Sequence, residues 1–350
     1  MNNPGDVVTN SRTNGNGDEA PVSLEKKFFN IRTFVSFGVA FAILYFFVRQ
    51  MNLNVAEVAR NIASANPALY LAGMAIYYTT FLVRGLRWRL LLENVGFGED
   101  AGRKLPSVLG MAEIIFLSWF ANCIMPAKLG DAYRAYLLKR NAPVSFSKTI
   151  GTVLAERILD LLVTFVLLGV TWLTIFHGTL PPEILIGMQA SLAVAVAVVL
   201  GLLAMRNLGT LIRKVIPKRF RHYYGLLEEG TLRSFQQLPL VVGYTLLAWL
   251  IEATRLYFVV LSLGLVGVGF PIILFTAIAG SLLTTVPITP AGIGFVEGGI
   301  IGILMVAGRL GLVAGLDQNL VSSIAILDRA ISYWSLVLFG LVLYLVTKKK

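Results

Sequence analysis

Long apolar runs separated by short basic connectors are the feature of this sequence that most restricts its fold. Several of these runs reach the roughly 20 residues that an α-helix needs to cross the hydrocarbon core of a bilayer. Charged residues make up only 14% of the chain and hydrophobic residues 56%, whereas a soluble domain is about one quarter charged. We therefore predict an all-α polytopic membrane protein.

The lengths of the apolar runs predict about six full spans. They cover residues 31–48, 68–86, 150–176, 184–205, 239–263 and 320–346. Residues 1–24 are rich in Asn, Gly, Ser and Thr and lack an apolar period, which predicts a disordered tail. Residues 25–350 are expected to form a single transmembrane domain.

The Lys and Arg residues concentrate in the connectors, above all in residues 84–104 and 206–233, and in the last three residues. Because cytoplasmic loops carry such an excess of basic residues, we assign these connectors and both termini to the cytoplasm, with the protein in the plasma membrane. The same clustering accounts for the net charge of +11, so nucleic acid is not expected as a partner.

Cysteine and histidine are too sparse to suggest a metal site. Cys123 is the only cysteine, and the two histidines, His177 and His222, are far apart in the sequence. These residues supply neither a disulfide framework nor a set of metal ligands. Too little polar sequence remains to build a soluble catalytic domain. We therefore expect no cofactor and no enzyme activity.

Two short segments break the helical pattern inside apolar sequence: Pro290-Ala-Gly-Ile-Gly-Phe-Val-Glu297 and Pro126-Ala-Lys-Leu-Gly-Asp131. Non-helical backbone and carboxylates are costly in hydrocarbon unless they line a cavity or are buried in protein. Each segment is therefore predicted to form the tip of a broken-helix hairpin. The hairpins are expected to cover residues 106–147 and 271–308.

The two hairpins belong to a repeat whose halves cover about 68–177 and 239–347. Pro126 and Pro290 are 164 residues apart, and each tip lies between two spans that carry charged residues. By the charge count, the first hairpin opens to the cytoplasm and the second to the outside, so the repeats are inverted. Paired broken segments in inverted halves are typical of transporters, with the site where the tips meet near the bilayer midplane.

Charged residues within apolar segments are the candidate ligands for a substrate headgroup. We expect the arginines to bind an anionic headgroup while the carboxylates hold them in place or move protons. This set comprises Arg157, Arg255, Arg329, Glu156, Asp160, Glu252, Glu297 and Asp328. In the alternative interpretation, these ions pair among themselves and only hold the helix bundle together.

The hairpin tips supply a second group of candidates. Gly292 and Gly294 could present backbone N–H groups and a helix N-terminus to a phosphate. Lys128 and Arg134 would add positive charge beside Asp131 at the other tip. The alternatives are close helix packing by the glycines and extension of the two basic side chains to the membrane interface. In the transport interpretation, the two tips should approach each other and face Arg157 and Arg329.

The order of these motifs resembles the lysylphosphatidylglycerol synthase transmembrane-region family, also called flippase-like domain proteins. The matching segments are Pro126–Asp131 with Arg134, Glu156-Arg157-Ile-Leu-Asp160, Pro290–Glu297 and Asp328-Arg329-Ala-Ile-Ser-Tyr-Trp334. The family usually has Gly-Glu in place of Gly130-Asp131 and often has Pro-Gly-Gly in place of Pro290-Ala-Gly292. The second tip should therefore bend in the same way but less freely.

The resemblance implies a flippase-like domain. In the best-known members, this domain flips an aminoacylated phospholipid made by a fused cytoplasmic synthase. This chain ends at Lys350 without such a segment, so lipid aminoacylation is not expected. Other members resemble membrane domains attached to glycosyltransferases that act on polyprenyl phosphates.

Three functional hypotheses follow. The first is a lipid translocase that moves a phospholipid or a lipid-linked sugar between leaflets. The second is a non-transporting membrane subunit that scaffolds or presents lipid to a glycosyltransferase partner. The third, a membrane-embedded transferase, has no acceptor or metal motif to support it. The expected partners are a membrane lipid or lipid-linked substrate, with a glycosyltransferase and a second copy in a homodimer as further candidates.

Overall fold

The computed structural model describes residue 38 and residues 53–98, 104–125, 129–176, 182–284 and 289–348. The predicted tail over residues 1–24 lies outside the described residues, as do Pro126 and Lys128 at the first tip. Of the predicted first span over residues 31–48, only Gly38 is described. Throughout the described ranges the regular structure is helical, without a strand. This confirms the predicted all-α class.

Twelve α-helices, numbered α1 to α12, follow one another along the described part of the chain. Their bounds are Val55–Ser64, Pro67–Asn94, Val108–Ile124, Gly130–Asn141, Phe146–Phe176, Pro182–Val215, Lys218–Arg233, Leu238–Ser262, Phe270–Leu283, Phe295–Arg309, Gln318–Arg329 and Leu336–Val346. A short 3₁₀ turn, Pro290–Gly292, precedes α10, and a π-helical segment, Ala330–Ser335, joins α11 to α12.

Five of the six predicted spans are present as helices long and apolar enough to cross a membrane. They are Pro67–Asn94, Phe146–Ile175, Leu185–Val215, Leu238–Ser262 and Gln318–Val346. The sixth, over residues 31–48, falls outside the described ranges apart from Gly38. The chain is therefore a multi-pass membrane protein.

The starts of several helices follow from local sequence. Asn66 accepts hydrogen bonds from the backbone N–H groups of Ala68 and Leu69, and Pro67 occupies the first helical position of α2. Ser107 caps α3 and Asp317 caps α11 in the same manner. Such side chains accept from N–H groups that have no partner within the helix, so they determine where the helix begins.

The first predicted hairpin is formed by α3 and α4, which pack against each other. Gly130 begins α4, and a Cβ at this position would overlap the backbone oxygen of Ser118. The Gly130 N–H donates to Asn122 Oδ1 at 2.8 Å, and Ser118 Oγ donates to the Gly130 carbonyl at 2.8 Å. A glycine is therefore required for the close approach of the two arms.

The second hairpin is formed by α9 and α10, with the 3₁₀ turn before α10. Gly292 and Gly294 have φ values of 69° and 87°, and Ala291 has a φ of 48°. Few residues other than glycine adopt these values without strain. The predicted break therefore falls within this segment, and the position at which the family often has glycine holds an alanine in left-handed backbone.

Both hairpins pack around a central pair of helices, α2 and α8. Gly73 brings the two helices close together, because a Cβ there would lie 2.8 Å from the Cβ of Phe258. The first arm of the first hairpin, α3, also packs against the 3₁₀ turn of the second. The tips therefore approach each other, as expected. The opposite orientation of the two halves relative to the membrane stays a prediction.

Candidate functional site

A cavity of about 450 Å³ lies between the two hairpin tips. Asn122, Cys123 and Met125 line it from the first hairpin, and Thr289 and Ala291 line it from the second. Seven charged residues also contribute to its wall: Arg84, Arg157, Asp160, Glu252, Arg255, Asp328 and Arg329. The cavity therefore combines both tips with most of the predicted ionic residues.

In the first half of the chain, two arginines on different helices bind carboxylates. Arg87 on α2 contacts Glu156 on α5, with Nη2 and Oε1 separated by 3.0 Å. Arg157, the next residue of α5, donates to Asp131 on α4 through Nε and Nη2 at 2.9 and 2.7 Å. Asp131 therefore holds one edge of the Arg157 guanidinium.

The second half repeats this arrangement. Arg255 on α8 contacts Asp328 on α11, with Nε and Oδ1 separated by 2.9 Å. Arg329, the next residue, donates from Nε to Glu297 on α10 at 2.9 Å and from Nη2 to the Ala291 carbonyl at 3.1 Å. Each of these four charged residues has a counterpart 166–172 residues earlier: Arg255 matches Arg87, Asp328 matches Glu156, Arg329 matches Arg157, and Glu297 matches Asp131. The repeat seen in the sequence is thus also a repeat of ion pairs.

Among the described residues, one ion pair joins the two halves. Arg84 on α2 and Glu252 on α8 occupy equivalent positions, 168 residues apart, but carry opposite charges. Arg84 Nη2 lies 3.5 Å from Glu252 Oε1, and Arg84 Nη1 lies 4.0 Å from Asp160 Oδ2. Identical charges at these positions would repel each other, so the opposite signs allow the central helices to pack here.

The charged residues therefore pair extensively with one another, as the alternative interpretation predicted. Asp160 also binds Arg87 and lies near Arg157, and Glu252 binds Arg255 at 2.7 Å. Aromatic rings support the cations: Arg84 lies over Trp119, Arg255 over Tyr77 and Arg329 over Tyr333. Buried charges are tolerated when they are paired and hydrogen-bonded in this way.

Arg157 is the most accessible of these cations. Its side chain is 31% exposed, whereas those of Arg84, Arg87, Arg134, Arg255 and Arg329 are at most 9% exposed. Among the described residues, Nη1 donates no hydrogen bond in either Arg157 or Arg329, while the other nitrogens of both are directed to hairpin groups. These two equivalent arginines thus retain hydrogen-bonding capacity beside the cavity.

Members of the predicted tip set are placed differently. Arg134 is buried, binds Glu156 at 3.1 Å and lies over Trp88, so its side chain does not extend to the interface. The Gly292 N–H donates to the Thr289 carbonyl, and the Gly294 N–H donates to the Glu297 carboxylate. Because both N–H groups already have acceptors within the tip, phosphate binding by Gly292 and Gly294 stays a prediction. Lys128 lies outside the described residues.

The chain matches the family described as the lysylphosphatidylglycerol synthase TM region over residues 33–340. The chain belongs to this family. It is similar to UPF0104 membrane protein MJ1078 of Methanocaldococcus jannaschii, with 33% identity over 234 residues, which are 66% of this chain and 95% of that protein.

Two further relatives cover more of the chain at lower identity. UPF0104 membrane protein PH1989 of Pyrococcus horikoshii is 25% identical over 307 residues, covering 80% of this chain and 87% of that protein. Glycosyltransferase AglD of Haloferax volcanii is 26% identical over 302 residues, covering 74% of this chain. The matched region is only 47% of AglD.

Sequence reasoning did not assign Arg84 and Arg87 to the site. It grouped them with the basic connector at the end of a span, whereas both side chains are buried and paired. The repeat contained the missing signal, because Arg84 and Arg87 lie 168 residues before Glu252 and Arg255. Two other groups at the cavity were also missed: Thr164 Oγ1 and Trp249 Nε1 are buried and lack a hydrogen-bond partner among the described residues.

Proposed function

We propose that this protein is a lipid translocase that moves a phospholipid or a lipid-linked sugar between the leaflets of its membrane. The main support is that the tips of two broken hairpins, one from each repeat, line one cavity whose wall also contains paired charged residues. A polar headgroup is costly to transfer through hydrocarbon without hydrogen-bond partners. The cavity supplies such partners in the interior of the protein, while the acyl or prenyl chains stay in lipid.

In this proposal, Arg157 and Arg329 contact the headgroup phosphate. Their Nη1 atoms donate no hydrogen bond among the described residues, although Asp160 lies 3.8 Å from Nη1 of Arg157. Asp131 and Glu297 hold the opposite edge of each guanidinium. A guanidinium donates charge-assisted hydrogen bonds to phosphate oxygens in a fixed geometry. The carboxylates of Asp160, Glu252 and Asp328 then keep the remaining arginines paired while the headgroup is bound.

The repeat suggests how the cavity reaches both leaflets. In transporters built from inverted repeats, one half moves against the other around a site near the midplane, so the site opens alternately to each side. Arg157 belongs to the first half and Arg329 to the second. We propose that the headgroup passes from one of these two equivalent cations to the other as the cavity closes to one side of the membrane and opens to the other.

The test is leaflet exchange in proteoliposomes. The assay follows acyl-chain-labelled fluorescent lipids with unmodified headgroups, whose outer-leaflet fraction is quenched by dithionite. We expect the wild type to exchange lipid, and Arg157→Ala and Glu297→Gln to slow exchange at least tenfold. Arg206→Ala, at an exposed site on α6, is the matched control and should retain the wild-type rate.

Folding must be checked for each variant by circular dichroism and size-exclusion chromatography. If correctly folded wild type and both site variants exchange lipid equally, or if none exceeds protein-free liposomes for any headgroup, the translocase proposal is wrong.

A second candidate function is favoured by the similarity to glycosyltransferase AglD. Here the protein is a membrane subunit without catalytic activity of its own, and its cavity presents a lipid-linked substrate to a glycosyltransferase partner. The distinguishing result is absence of leaflet exchange together with loss of a lipid-dependent glycosyltransferase activity when the gene is deleted. Restoration by the wild type but not by Arg157→Ala would assign the cavity to presentation.

The membrane orientation is also proposed. Both termini are assigned to the cytoplasmic face of the plasma membrane from the distribution of basic residues. In a Cys123→Ser background, a single cysteine at position 348 should react with a membrane-impermeant thiol reagent only after the cytoplasmic face is opened. A homodimer remains a candidate assembly, to be tested by the mass of the protein in nanodiscs.

A further inference from the structure

A second polar surface, formed by residues that do not line the cavity, lies where α6 ends and α7 begins. We call residues 211–223 the basic corner. The candidate span of α6 ends at Val215, Pro217 precedes the first turn of α7, and α7 starts at Lys218. The basic corner therefore lies where the chain leaves the hydrocarbon region.

The basic corner carries five Lys and Arg residues and no Asp or Glu. Lys214, Lys218 and Arg219 are exposed and have no ion-pair partner among the described residues. Arg221 donates to the carbonyls of Lys214 and Ile216 at 3.0 and 2.9 Å, which holds the turn in place. The corner thus presents fixed positive charge that the protein itself leaves largely uncompensated.

The nearest acidic residues in sequence compensate only one of the five basic residues of the corner. Glu228, later in α7, binds Arg213 at 3.1 Å. Glu229 binds Lys148 at 3.0 Å and Arg233 at 3.1 Å. Of the basic corner, only Arg213 is paired with these carboxylates.

Exposed aromatic side chains accompany the charge. Phe220 and Tyr223, three positions apart on α7, are 47% and 57% exposed, and Arg219 lies over the Phe220 ring at 4.6 Å. Residues at this spacing share one face of a helix. Aromatic rings are enriched at the headgroup level of a bilayer, and clusters of basic residues beside a span attract anionic lipids. An acidic protein surface would match the charge, but it would not account for aromatic exposure at a membrane edge.

The helix that carries this surface packs closely on the helix that carries part of the cavity. Gly151 of α5 and Gly230 of α7 lie in contact, since a Cβ at either would overlap the backbone of the other helix. Thr231 Oγ1 donates to the Gly151 carbonyl at 3.2 Å. Glu156 and Arg157 follow within two turns of α5.

We propose that the basic corner binds the headgroups of anionic phospholipids in the adjacent leaflet, and that this contact holds α7 in place against α5. The site is separate from the cavity and does not depend on the translocase proposal. Its ligand class is an anionic phospholipid rather than a zwitterionic one.

The test uses the full-length protein in nanodiscs of phosphatidylcholine with 0 or 30% phosphatidylglycerol of the same acyl chains. Lipid retention is measured by native mass spectrometry and backbone exposure by hydrogen exchange. Lys218→Gln/Arg219→Gln is compared with Lys139→Gln/Arg140→Gln, because both pairs are exposed Lys-Arg dipeptides. Each basic residue near an anionic surface contributes about fivefold, so the first variant should reduce the preference for phosphatidylglycerol about 25-fold. The second pair lies outside the basic corner, so the second variant should reduce the preference much less.

Phosphatidylglycerol should also slow hydrogen exchange in residues 211–223 of the wild type. Phe220→Ala/Tyr223→Ala should weaken retention of both lipids while keeping the preference between them. The proposal is overturned if the two Lys-Arg variants behave alike, or if exchange in the corner is the same in both discs. It is equally overturned if the Lys218/Arg219 variant keeps its lipid preference but loses a bound acidic protein.

Discussion

Neutralising Arg84 or Glu252 tests how the two halves of the chain are joined. Their side chains are only 4% and 11% exposed, and the charged groups approach to 3.5 Å. In Arg84→Gln, Glu252 keeps Arg255 as a partner at 2.7 Å. In Glu252→Gln, Arg84 keeps Asp160 as a carboxylate partner, but only at 4.0 Å. Each single change thus leaves a buried charge with weaker compensation.

Removing one partner of a buried ion pair costs about 3–5 kcal/mol, because the remaining charge stays desolvated. Because each remaining charge keeps another partner, each single variant should lose about 3 kcal/mol of the free energy of unfolding, with Glu252→Gln the more destabilising. The double variant removes both charges, so neither Arg84 nor Glu252 remains as a charged group without the other. Its cost should be close to that of one single variant, which gives a coupling energy of about 2–3 kcal/mol.

The assay is reversible unfolding of the purified protein in mixed micelles of dodecyl maltoside and SDS, applied to a double-mutant cycle. The matched control is the cycle on Arg89 and Glu93 of the same helix, an i, i+4 pair at 2.8 Å with greater exposure. A surface pair of this kind is worth about 0.3–0.5 kcal/mol. If the coupling between Arg84 and Glu252 is no larger than that of the control, the pair does not join the halves energetically and the reasoning is refuted.

Three further predictions concern the hairpins and the accessible arginine. Ala291→Gly should raise the free energy of unfolding by about 0.5–1 kcal/mol. An L-residue in left-handed backbone costs about 1–2 kcal/mol, and the greater freedom of glycine in the unfolded chain offsets part of the gain. Gly292→Ala should lower the free energy of unfolding, and equal effects of the two changes would contradict the strain argument. Gly130→Ala should lower the free energy of unfolding by about 2 kcal/mol or more through overlap with Ser118. The control Gly201→Ala, at an exposed and uncrowded position inside α6, should not lower it. Equal effects of the two changes would contradict the packing argument. Arg157→Lys keeps the charge but loses the two hydrogen bonds to Asp131. The affinity for the lipid headgroup, measured by lipid titration, should therefore fall about tenfold. An unchanged affinity would show that the contact with Asp131 does not position the guanidinium.

Much of the fold could be predicted from sequence because hydrocarbon imposes strict local conditions. A span must be long and apolar, so the lengths of the runs located five of the candidate spans that the structure describes. Pro removes a hydrogen bond from a regular helix and nearby Gly residues weaken it further, so Pro and Gly together located the break in each hairpin. The repeat of charged motifs then indicated which segments correspond in the two halves.

The tertiary structure alone decided which arginines are buried. Arg84, Arg87 and Arg89 lie within two turns at the end of one helix, where basic residues can either reach the interface or turn inward. Arg84 and Arg87 face carboxylates on other helices, whereas Arg89 pairs with Glu93 of its own helix at a more exposed position. The Arg87 partner Asp160 is 73 residues away in sequence.

The environment of the tip glycines was likewise decided by three-dimensional contacts. The sequence by itself determined that Gly292 and Gly294 interrupt a helix. The structure added that their N–H groups are satisfied within the tip, by Thr289 and Glu297. Local composition controls where helices form and end, because backbone hydrogen bonding is local. The pairing of charges depends on which helices meet, and helix packing across the two halves sets that.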